Sequence, residues 1–528
     1  MEASGPGGSE RPGGVERVGA VEYEHVGRDY LEERALTKHA GVWLIMLLGI
    51  GYVISGEYFS WNFGFDAGGW GGFLVATVLM AIMYYGLVFA MCEMASALPH
   101  SGGPYAFARR ALGPWGGFAT GLGVTIAYVL ATGAISVAIA AYILGLPSPF
   151  EDLGKLWFIE PVEWLSLLFF AIFVYANMRG VELVFTIVAT VTIIALITLV
   201  VWGLVMVFDW DASNFSNIAP GDEGNATRAF PFGISGIWAA LPFAAWFYLA
   251  IEATPLASEE AKDPKRDLPR GSLYAMTVLL LASGIAFFVG GGAGGAELLS
   301  GSANPIPAVV EAVYGKNWFF WVVTVVGLTG LIASFHSIIF AYSRQIFALS
   351  RAGYIPRTLS RTGKYHTPTL AIVIPALLVW GIVIVYSRLV DDAEAIANIV
   401  QVSVFGALIF YILSMVAFIV LRIREPDLER AYRSPVGIPG AVVTGLLAAV
   451  ALGSGFNYTT AAQWTIIATI GLILLGLAYF ALVTRHRLVA EAPEEEFAVV
   501  AAAEAELEHP SEVPVGPDRP APGAPGAP

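Results

Sequence analysis

Cysteine and charge are both scarce in this sequence, and each shortage excludes a class of protein. One cysteine, Cys92, stands in 528 residues, so the chain forms neither an internal disulfide nor a cluster of thiolate metal ligands. Asp, Glu, Lys and Arg supply only 13% of the residues, about half the share of a soluble domain. The sequence contains no H-E-x-x-H pair and no credible nucleophile–base pair, which argues against a membrane enzyme.

Apolar runs recur along almost the whole chain, and the mean hydropathy is +0.69. A run of about 20 residues crosses the ~30 Å hydrocarbon core of a bilayer as a helix. The strands of a membrane β-barrel would instead alternate over about 10 residues. The sequence therefore predicts an all-α polytopic protein in the lipid bilayer. We predict twelve spans, at 40–62, 70–96, 114–145, 161–178, 182–207, 231–257, 272–294, 317–348, 368–387, 395–421, 440–457 and 464–484.

Lys and Arg are distributed unevenly between the two sides of these spans. If the N-terminus is cytoplasmic, all but four of the 28 basic residues fall on the cytoplasmic side. Adding or removing one span would assign the segments between spans to the opposite sides and reverse this asymmetry. Because positive charge favours the cytoplasmic side, we expect both termini to be cytoplasmic. The four exceptions are Lys155, Arg228, Lys316 and Arg388.

The two ends of the chain carry most of its net charge of −14. Residues 1–39 contain 5 basic and 8 acidic residues, and the segment from Arg485 to the end contains 3 basic and 9 acidic residues. The N-terminal segment has no secretory signal pattern. We expect disordered tails at 1–39 and 486–528, the second rich in Pro, Ala and Gly, around a twelve-helix domain at 40–485. This acidic balance gives no support to nucleic-acid binding.

Two spans contain residues that weaken a helix near its middle. The first reads GIGYVISGEYFSWNFG at 49–64, with Glu57 after its glycines, and the sixth reads AAWFYLAIEATP at 244–255. Irregular backbone at membrane depth is stable only where it lines a cavity or is buried in protein. Interrupted helices at matching positions of two halves indicate a transport site. The alternative is that the small residues only allow close helix packing.

Four stretches between the spans carry a more specific signal. They read EMASALPHSGGPYAFARRALGPWGGF at 93–118, SEEAKDPKRDLPRG at 258–271, YSRQIFALSRAGYIPR at 342–357 and LRIREPDLERAYRSPVGIP at 421–439. In order and spacing they resemble the cytoplasmic loops of the amino acid–polyamine–organocation transporters, and the resemblance covers about 40–485. The stretches around Glu57, Glu252 and His336 are most similar to those of the ethanolamine permeases.

This resemblance implies a five-plus-five inverted repeat of the LeuT type, two additional helices and alternating access without a cofactor. It also implies a bacterial inner-membrane protein with its substrate site between spans 1, 3, 6, 8 and 10. The match departs in span 3, where Ala127 precedes Tyr128 in place of a carboxylate. The predicted function is a permease that imports a small amine, ethanolamine first. The alternatives are an amino acid permease or a nutrient sensor of the same fold.

Residues near the two interrupted helices are the candidates for binding substrate. A charge at the bilayer centre costs about 2.5–3.5 kcal/mol, so Glu57 requires a partner, which an ammonium would be. The alternatives for Glu57 are outer water or an internal ion pair. A cation over the ring of Trp246 would gain roughly 0.5–2 kcal/mol, although plain packing is the alternative. The predicted binding set is Ser55, Gly56, Glu57, Trp246, Phe247, Tyr248, Thr125 and Tyr128.

A second set of polar residues is predicted to act in gating or coupling: Glu252, Ser334, His336 and Ser337. By the resemblance, Glu252 matches a carboxylate tied to proton-sensitive gating, and the serines match hydroxyls that bind sodium between spans 1 and 8. His336 is suited either to titration or to a hydrogen bond with substrate, with a packing role as the alternative. Span 5 contains no Lys to replace the ion, so proton, sodium and exchange coupling all stay open.

Overall fold

The computed structural model describes residues 15–495 apart from short gaps, and within that range the chain is mostly helical. The gaps are residues 19, 27–29, 31–35, 37, 147–149, 151–152, 223, 391, 458–459, 491 and 494. The α-helices are α1 Val42–Val53, α2 Ser55–Tyr58, α3 Phe63–Ala97, α4 Pro104–Leu144, α5 Pro161–Met178, α6 Val181–Met206, α7 Gly233–Trp246, α8 Pro264–Gly284, α9 Gly290–Gly294, α10 Ala296–Ser300, α11 Pro305–Tyr314, α12 Trp318–Arg351, α13 Thr369–Ser387, α14 Asp392–Arg424, α15 Gly437–Ser454 and α16 Thr460–Leu482. A 3₁₀ helix at Ile251–Glu260 follows α7, and a π-helix at Ile285–Val289 continues α8.

The predicted all-α membrane class is confirmed. In the part of the chain that the structure describes, eleven helices are long and apolar enough to cross a membrane. The predicted first span is a shorter apolar helix, Val42–Tyr58, because α1 gives way to the single turn of α2. The third span starts ten residues before its predicted position, at Pro104, and bends at Gly113, whose φ is +76°. Pro114 follows that bend, so a proline that suggests a helix start instead lies inside a kinked helix.

Both predicted interruptions are present. In the first break, residues 54–60, the one-turn α2 is followed by Phe59 in an extended conformation and by Ser60 with a φ of +72°. In the sixth-span break, residues 247–250, α7 ends at Trp246 and Ala250 adopts the left-handed conformation with a φ of +79°. The backbone of both segments therefore leaves the helical ladder inside the protein, where every residue of the two breaks is buried.

Two groups of helices surround these breaks. Helix α3 packs against α7 and α8, and helix α4 packs against α12 and α14. Helix α1 and the 3₁₀ helix Ile251–Glu260 lie between the groups, since both contact α8 on one side and α12 on the other. The interrupted helices are thus placed at the boundary along which the two groups would separate.

Two ion pairs join the 3₁₀ helix to α12 at the face of the molecule that carries the chain ends, here called the tail face. Arg344 Nε lies 2.7 Å from Glu260 Oε1, and both side chains are almost completely buried. Arg351 lies 2.6 Å from Glu259, and it also donates to Ser101 Oγ at 3.2 Å. The position of Arg344 in the apolar sequence of α12 gives no indication of this buried partner.

Removing one member of the Arg344–Glu260 pair should destabilise the protein more than removing both. A buried charge left without its partner costs about 3–5 kcal/mol, whereas replacing both by apolar groups is often nearly neutral. We expect Arg344→Met and Glu260→Met each to lower the thermal unfolding midpoint in detergent, and the double variant to recover part of the loss. As a control, Lys265→Met breaks the exposed pair with Glu429, 3.4 Å apart, and should change little. Single effects that simply add would contradict the pairing.

A three-stranded sheet lies on the tail face, in segments that composition assigns to disordered tails. Strand β1, Val15–Val18, is antiparallel to β2, Val21–Glu24, and β2 is parallel to β3, Leu488–Val489. Apolar residues of β2 and β3 are buried in a cluster with Tyr354 and Phe480. The alternation in VEYE at 21–24 is typical of a strand. The expectation of disorder does not hold for these residues, while most of both tails lies outside the described range.

Candidate substrate site

The carboxylate of Glu57 is the most unusual group at the first break. It is completely buried, and neither of its oxygens has a hydrogen-bond partner among the residues that the structure describes. The other buried carboxylates in the described chain have partners: Glu163 has Arg388 at 2.8 Å, Glu252 has the Tyr128 hydroxyl, and Asp267 accepts from the backbone N–H of Asp263. An unpaired carboxylate in such surroundings is strongly unfavourable unless a cation or several donors reach it. Glu57 therefore stands apart from the other buried carboxylates of the described chain.

Gly56 brings the two breaks into direct contact. A Cβ atom at residue 56 would lie 2.7 Å from the carbonyl oxygen of Trp246 and 3.2 Å from Cα of Phe247. Contacts this short are not tolerated, so only glycine allows the two backbones to approach so closely. The indole Nε1 of Trp246 is buried and has no partner in the described chain. Trp246 Nε1 and the Glu57 carboxylate are thus both buried and unpartnered in the described chain, on the two segments whose backbones meet at Gly56.

The aromatic residues of the sixth-span break have separate surroundings. Phe59 meets Trp246 edge-on at 5.5 Å, which keeps that indole beside the first break. Phe247 lies 5.6 Å from Trp61 and 6.0 Å from Phe73, which are 6.5 Å from each other, so the three near-parallel rings form one aromatic cluster. Trp246 and Trp61, which directly follows the first break, each have a buried indole Nε1 with no partner in the described chain.

Tyr248 and Glu252 face the helices that flank the sixth-span break. The hydroxyl of Tyr248 lies 2.8 Å from Ser283 Oγ on α8. The Tyr128 hydroxyl donates to Glu252 Oε1 at 2.9 Å, which links α4 to the 3₁₀ helix, and Glu252 Oε2 has no partner among the described residues. A buried pair of hydroxyls, Tyr84 and Tyr411 at 3.2 Å, joins α3 to α14. Tyr84 and Tyr411 therefore connect the two helix groups, whereas Tyr128 and Glu252 connect α4 to the 3₁₀ helix that lies between them.

Two predicted residues lie away from the breaks. The Thr125 hydroxyl donates to the carbonyl of Gly121 at 2.8 Å, and its side chain lines an apolar cavity of about 350 Å³ bordered by α13. His336 lies 2.8 Å from Asn177 on α5 through Nδ1, and its ring packs 5.3 Å from Phe173. The structure brings neither residue together with Glu57, so their geometry matches packing roles between neighbouring helices.

Ser334 and Ser337 lie where α12 meets α1. Ser334 Oγ accepts from the backbone N–H of Ser55 at 2.8 Å, which fixes the start of the first break. Ser337 Oγ donates to the carbonyl of Ala333 at 2.6 Å. A Cβ at Gly51 would lie 2.9 Å from Ser337 Oγ and 3.0 Å from Thr192 Oγ1, so several hydroxyls surround this glycine. They line the contact to which the resemblance assigns an ion.

Sequence reasoning missed Tyr84 and Tyr411, which read as ordinary membrane aromatics and whose paired hydroxyls give no sequence signal. Gln401, a weak candidate from its place in span 10, is buried on α14 with both side-chain polar atoms unpartnered in the described chain. The described residues contain no group of three His, Cys, Asp or Glu placed to hold a metal ion.

Comparison with known proteins agrees with this arrangement. A family model described as amino acid permease matches residues 41–478. An uncharacterised transporter of Rhizobium meliloti (strain 1021) is 28% identical over 447 residues, covering 82% of this chain and 90% of that protein. A branched-chain amino acid permease of Bacillus subtilis (strain 168) is 24% identical, and the alignment covers 84% of this chain and 94% of that protein. A D-serine/D-alanine/glycine transporter of Escherichia coli (strain K12) is 26% identical, and the alignment covers 63% of this chain and 69% of that protein.

These matches place the chain among membrane transporters and not among enzymes. They span the interrupted helices as well as the loop motifs, and the family model covers most of the residues predicted for the transporter domain. The chain is a multi-pass membrane protein that belongs to the amino acid permease family of the amino acid–polyamine–organocation superfamily.

Proposed function

We propose that this transporter imports a small organic amine, with ethanolamine as the first candidate, and that Glu57 holds its ammonium group. The observation that carries the proposal is the buried carboxylate of Glu57 with both oxygens unpaired in the described structure. A primary ammonium brings three N–H donors and one positive charge, which is what such a group lacks. The cost of burying the carboxylate would then be offset only when substrate is bound.

The backbone of the first break favours a substrate without a carboxylate. The N–H of Ser55 is occupied by Ser334 Oγ at 2.8 Å, and the N–H of Glu57 bonds to the carbonyl of Ile54 at 3.2 Å. Two of the amides that could hold a substrate carboxylate are therefore engaged. A second carboxylate about 4 Å from Glu57 would add a repulsion of about 4 kcal/mol at an effective dielectric constant of 20.

An amino acid substrate is the second candidate, and the comparisons favour it. Relatives of 24–26% identity are named as a branched-chain amino acid permease and a D-serine/D-alanine/glycine transporter. At that identity the substrate can differ between members of a family. A zwitterion would still present an ammonium to Glu57, so the two candidates differ in whether its carboxylate finds donors. A nutrient sensor, the third candidate, would bind its ligand without moving it.

We also propose roles for the remaining polar residues and a location for the protein. Tyr128 and Glu252 join α4 to the 3₁₀ helix after the sixth-span break through one hydrogen bond, so we assign this pair to gating. Ser334 and Ser337 are candidates for coupling to an ion, because they lie at the contact of α1 with α12. The distribution of basic residues supports cytoplasmic termini, and the bacterial relatives support an inner-membrane location.

Uptake into proteoliposomes tests the proposed substrate. We expect saturable uptake of radiolabelled ethanolamine that unlabelled small primary amines inhibit, while glycine, D-serine and leucine inhibit at least about tenfold more weakly, a difference of about 1.4 kcal/mol. Liposomes without protein provide the background, and imposed proton or sodium gradients show which ion accelerates uptake. Saturable uptake of a neutral amino acid that ethanolamine does not inhibit would overturn the amine proposal in favour of the second candidate.

A further inference from the structure

An apolar cavity, here called the α13 cavity, lies on the outer side of the helix bundle and includes no residue of the two breaks. It has a volume of about 350 Å³ and is formed by α4, α12, α13, α16 and the segment that follows α12. Among the described residues that line it, only Thr125 is polar, and its hydroxyl already donates to the carbonyl of Gly121 at 2.8 Å. A cavity without free polar groups does not hold ordered water and favours an apolar occupant.

The α13 cavity is open towards the bilayer and is as long as one leaflet is thick. Leu378 on α13 and Leu472 on α16 both line it and are each more than half exposed. Along α13 its lining runs from Leu370, at the tail-face start of the helix, to Ile382. At a rise of about 1.5 Å per residue this stretch is about 18 Å long, close to half of the ~30 Å hydrocarbon core. An acyl chain of the tail-face leaflet therefore matches the cavity in direction and in length.

The tail-face mouth of the α13 cavity carries positive charge. Arg361 and Lys364 lie on the loop between Leu359 and Leu370, two residues that line the cavity. Both cations are exposed, and neither has an ion-pair partner among the described residues. The whole segment 353–368 contains no Asp or Glu. Exposed cations at the level of the headgroups attract anionic lipids.

Another apolar cavity on the bundle lacks this charge pattern. It lies between α3, α8 and α15, has a volume of about 730 Å³, and Val436 lines its tail-face end. The loop before Val436, residues 425–435, contains three acidic and two basic side chains. This α15 cavity offers apolar surface without an excess of positive charge, so it serves as an internal control for the effect of the headgroup.

We propose that the α13 cavity binds an anionic phospholipid of the tail-face leaflet, with one acyl chain along α13 and the phosphate held by Arg361 and Lys364. This site is separate from the substrate site and does not depend on which substrate is transported. Thr125 and Val129, which line the cavity, flank Tyr128 on α4, and the Tyr128 hydroxyl donates to Glu252. The bound acyl chain therefore packs against a helix that borders the sixth-span break.

Photocrosslinking of the full chain in phosphatidylcholine nanodiscs locates the lipid directly. The nanodiscs contain a trace of anionic phosphatidylglycerol, or of zwitterionic phosphatidylcholine, with a photoreactive diazirine on one acyl chain, and mass spectrometry identifies the labelled residues. We expect the phosphatidylglycerol probe to label residues 370–382 at least about tenfold more than the phosphatidylcholine probe does, because two cations attract its headgroup. Both probes should label residues 436–444 of the α15 cavity equally. Equal labelling of residues 370–382 by the two probes would overturn the proposal.

The two cations are tested by replacing them together. Arg361→Gln combined with Lys364→Gln should reduce labelling of residues 370–382 by phosphatidylglycerol to the level seen with phosphatidylcholine, and exposed positions of this kind tolerate the change without unfolding. Arg424→Gln is the matched control, because Arg424 is also exposed, lies at the tail-face end of α14 and has no ion-pair partner among the described residues. It should leave the preference for phosphatidylglycerol intact. A preference that survives the double variant would contradict the role of these cations.

The position of the acyl chain is tested by filling the α13 cavity. Val129→Trp places a large side chain in it and should reduce labelling of residues 370–382 by phosphatidylglycerol to the level of lipid-facing residues outside the cavity. Val385→Trp is the control, since Val385 lies on the same helix, is 55% exposed and does not line the cavity. It should leave the labelling unchanged. Undiminished labelling in Val129→Trp, or labelling spread evenly over all lipid-facing helices of the unmodified protein, would show that the lipid does not occupy the α13 cavity.

Discussion

Replacing Glu57 by glutamine should weaken ethanolamine binding by at least about tenfold and leave the protein folded. A hydrogen bond to a charged group contributes about 1.5–3 kcal/mol, which corresponds to roughly ten- to 150-fold in affinity. Glutamine keeps the size of the side chain and its ability to accept a hydrogen bond. The loss of affinity therefore measures the contribution of the negative charge to binding. Equilibrium binding of radiolabelled ethanolamine to purified protein gives the dissociation constant directly.

The stability of the same variant separates a binding role from a structural one. Because Glu57 is buried without a partner in the described chain, removing its charge should leave the ligand-free protein as stable as before or more stable. Glu163→Gln is the matched control, since Glu163 is also buried but paired with Arg388 at 2.8 Å. That control should lower the unfolding midpoint without changing the dissociation constant. Loss of stability in Glu57→Gln with unchanged affinity would assign Glu57 to the fold alone.

Gly56→Ala should abolish most transport, with a loss of at least about tenfold in initial uptake rate. The new methyl group would lie 2.7 Å from the carbonyl oxygen of Trp246, so the two breaks would have to move apart. Inserting a methyl group into a packed interior costs about 1–3 kcal/mol, and here it acts at the junction that the substrate would occupy. Initial rates in proteoliposomes, normalised to reconstituted protein, measure the effect.

The control for this variant is another helical glycine with open space around it. Gly381 on α13 has no atom within 4 Å of an added Cβ, so Gly381→Ala should keep normal transport and equal or slightly higher stability. Transport by Gly56→Ala at the rate of the unmodified protein would show that the two breaks are not required to touch.

The fold was predictable because apolar runs specify spans, and glycine and proline weaken helices, through local effects along the chain. Apolar runs specify spans, and the glycines near Gly56 together with Pro255 weaken two of them at the depth where the structure shows breaks. The kinked start of the third span was misplaced because Gly113 and Pro114 read as a boundary, whereas α4 continues through them. Local signals thus predict that a helix is disturbed without deciding whether it ends or bends.

The candidate site was only partly predictable, because pairing between distant residues leaves no pattern in one sequence. The isolation of Glu57 and the partnership of Glu252 with Tyr128 are both set by neighbours far away along the chain. His336 is a candidate from sequence because it is a histidine deep in a span, yet its ring contacts Asn177 on another helix. Composition likewise predicted disorder for segments whose strands form only because two distant ends meet.

The most direct test of the central claim is an experimental structure of the protein with ethanolamine bound. We predict that the ammonium nitrogen lies within about 3 Å of a Glu57 carboxylate oxygen, at the junction of residues 54–60 with residues 247–250, beside the indole of Trp246. An ethanolamine molecule bound at a site that does not include Glu57, with that carboxylate still unpaired, would contradict the account.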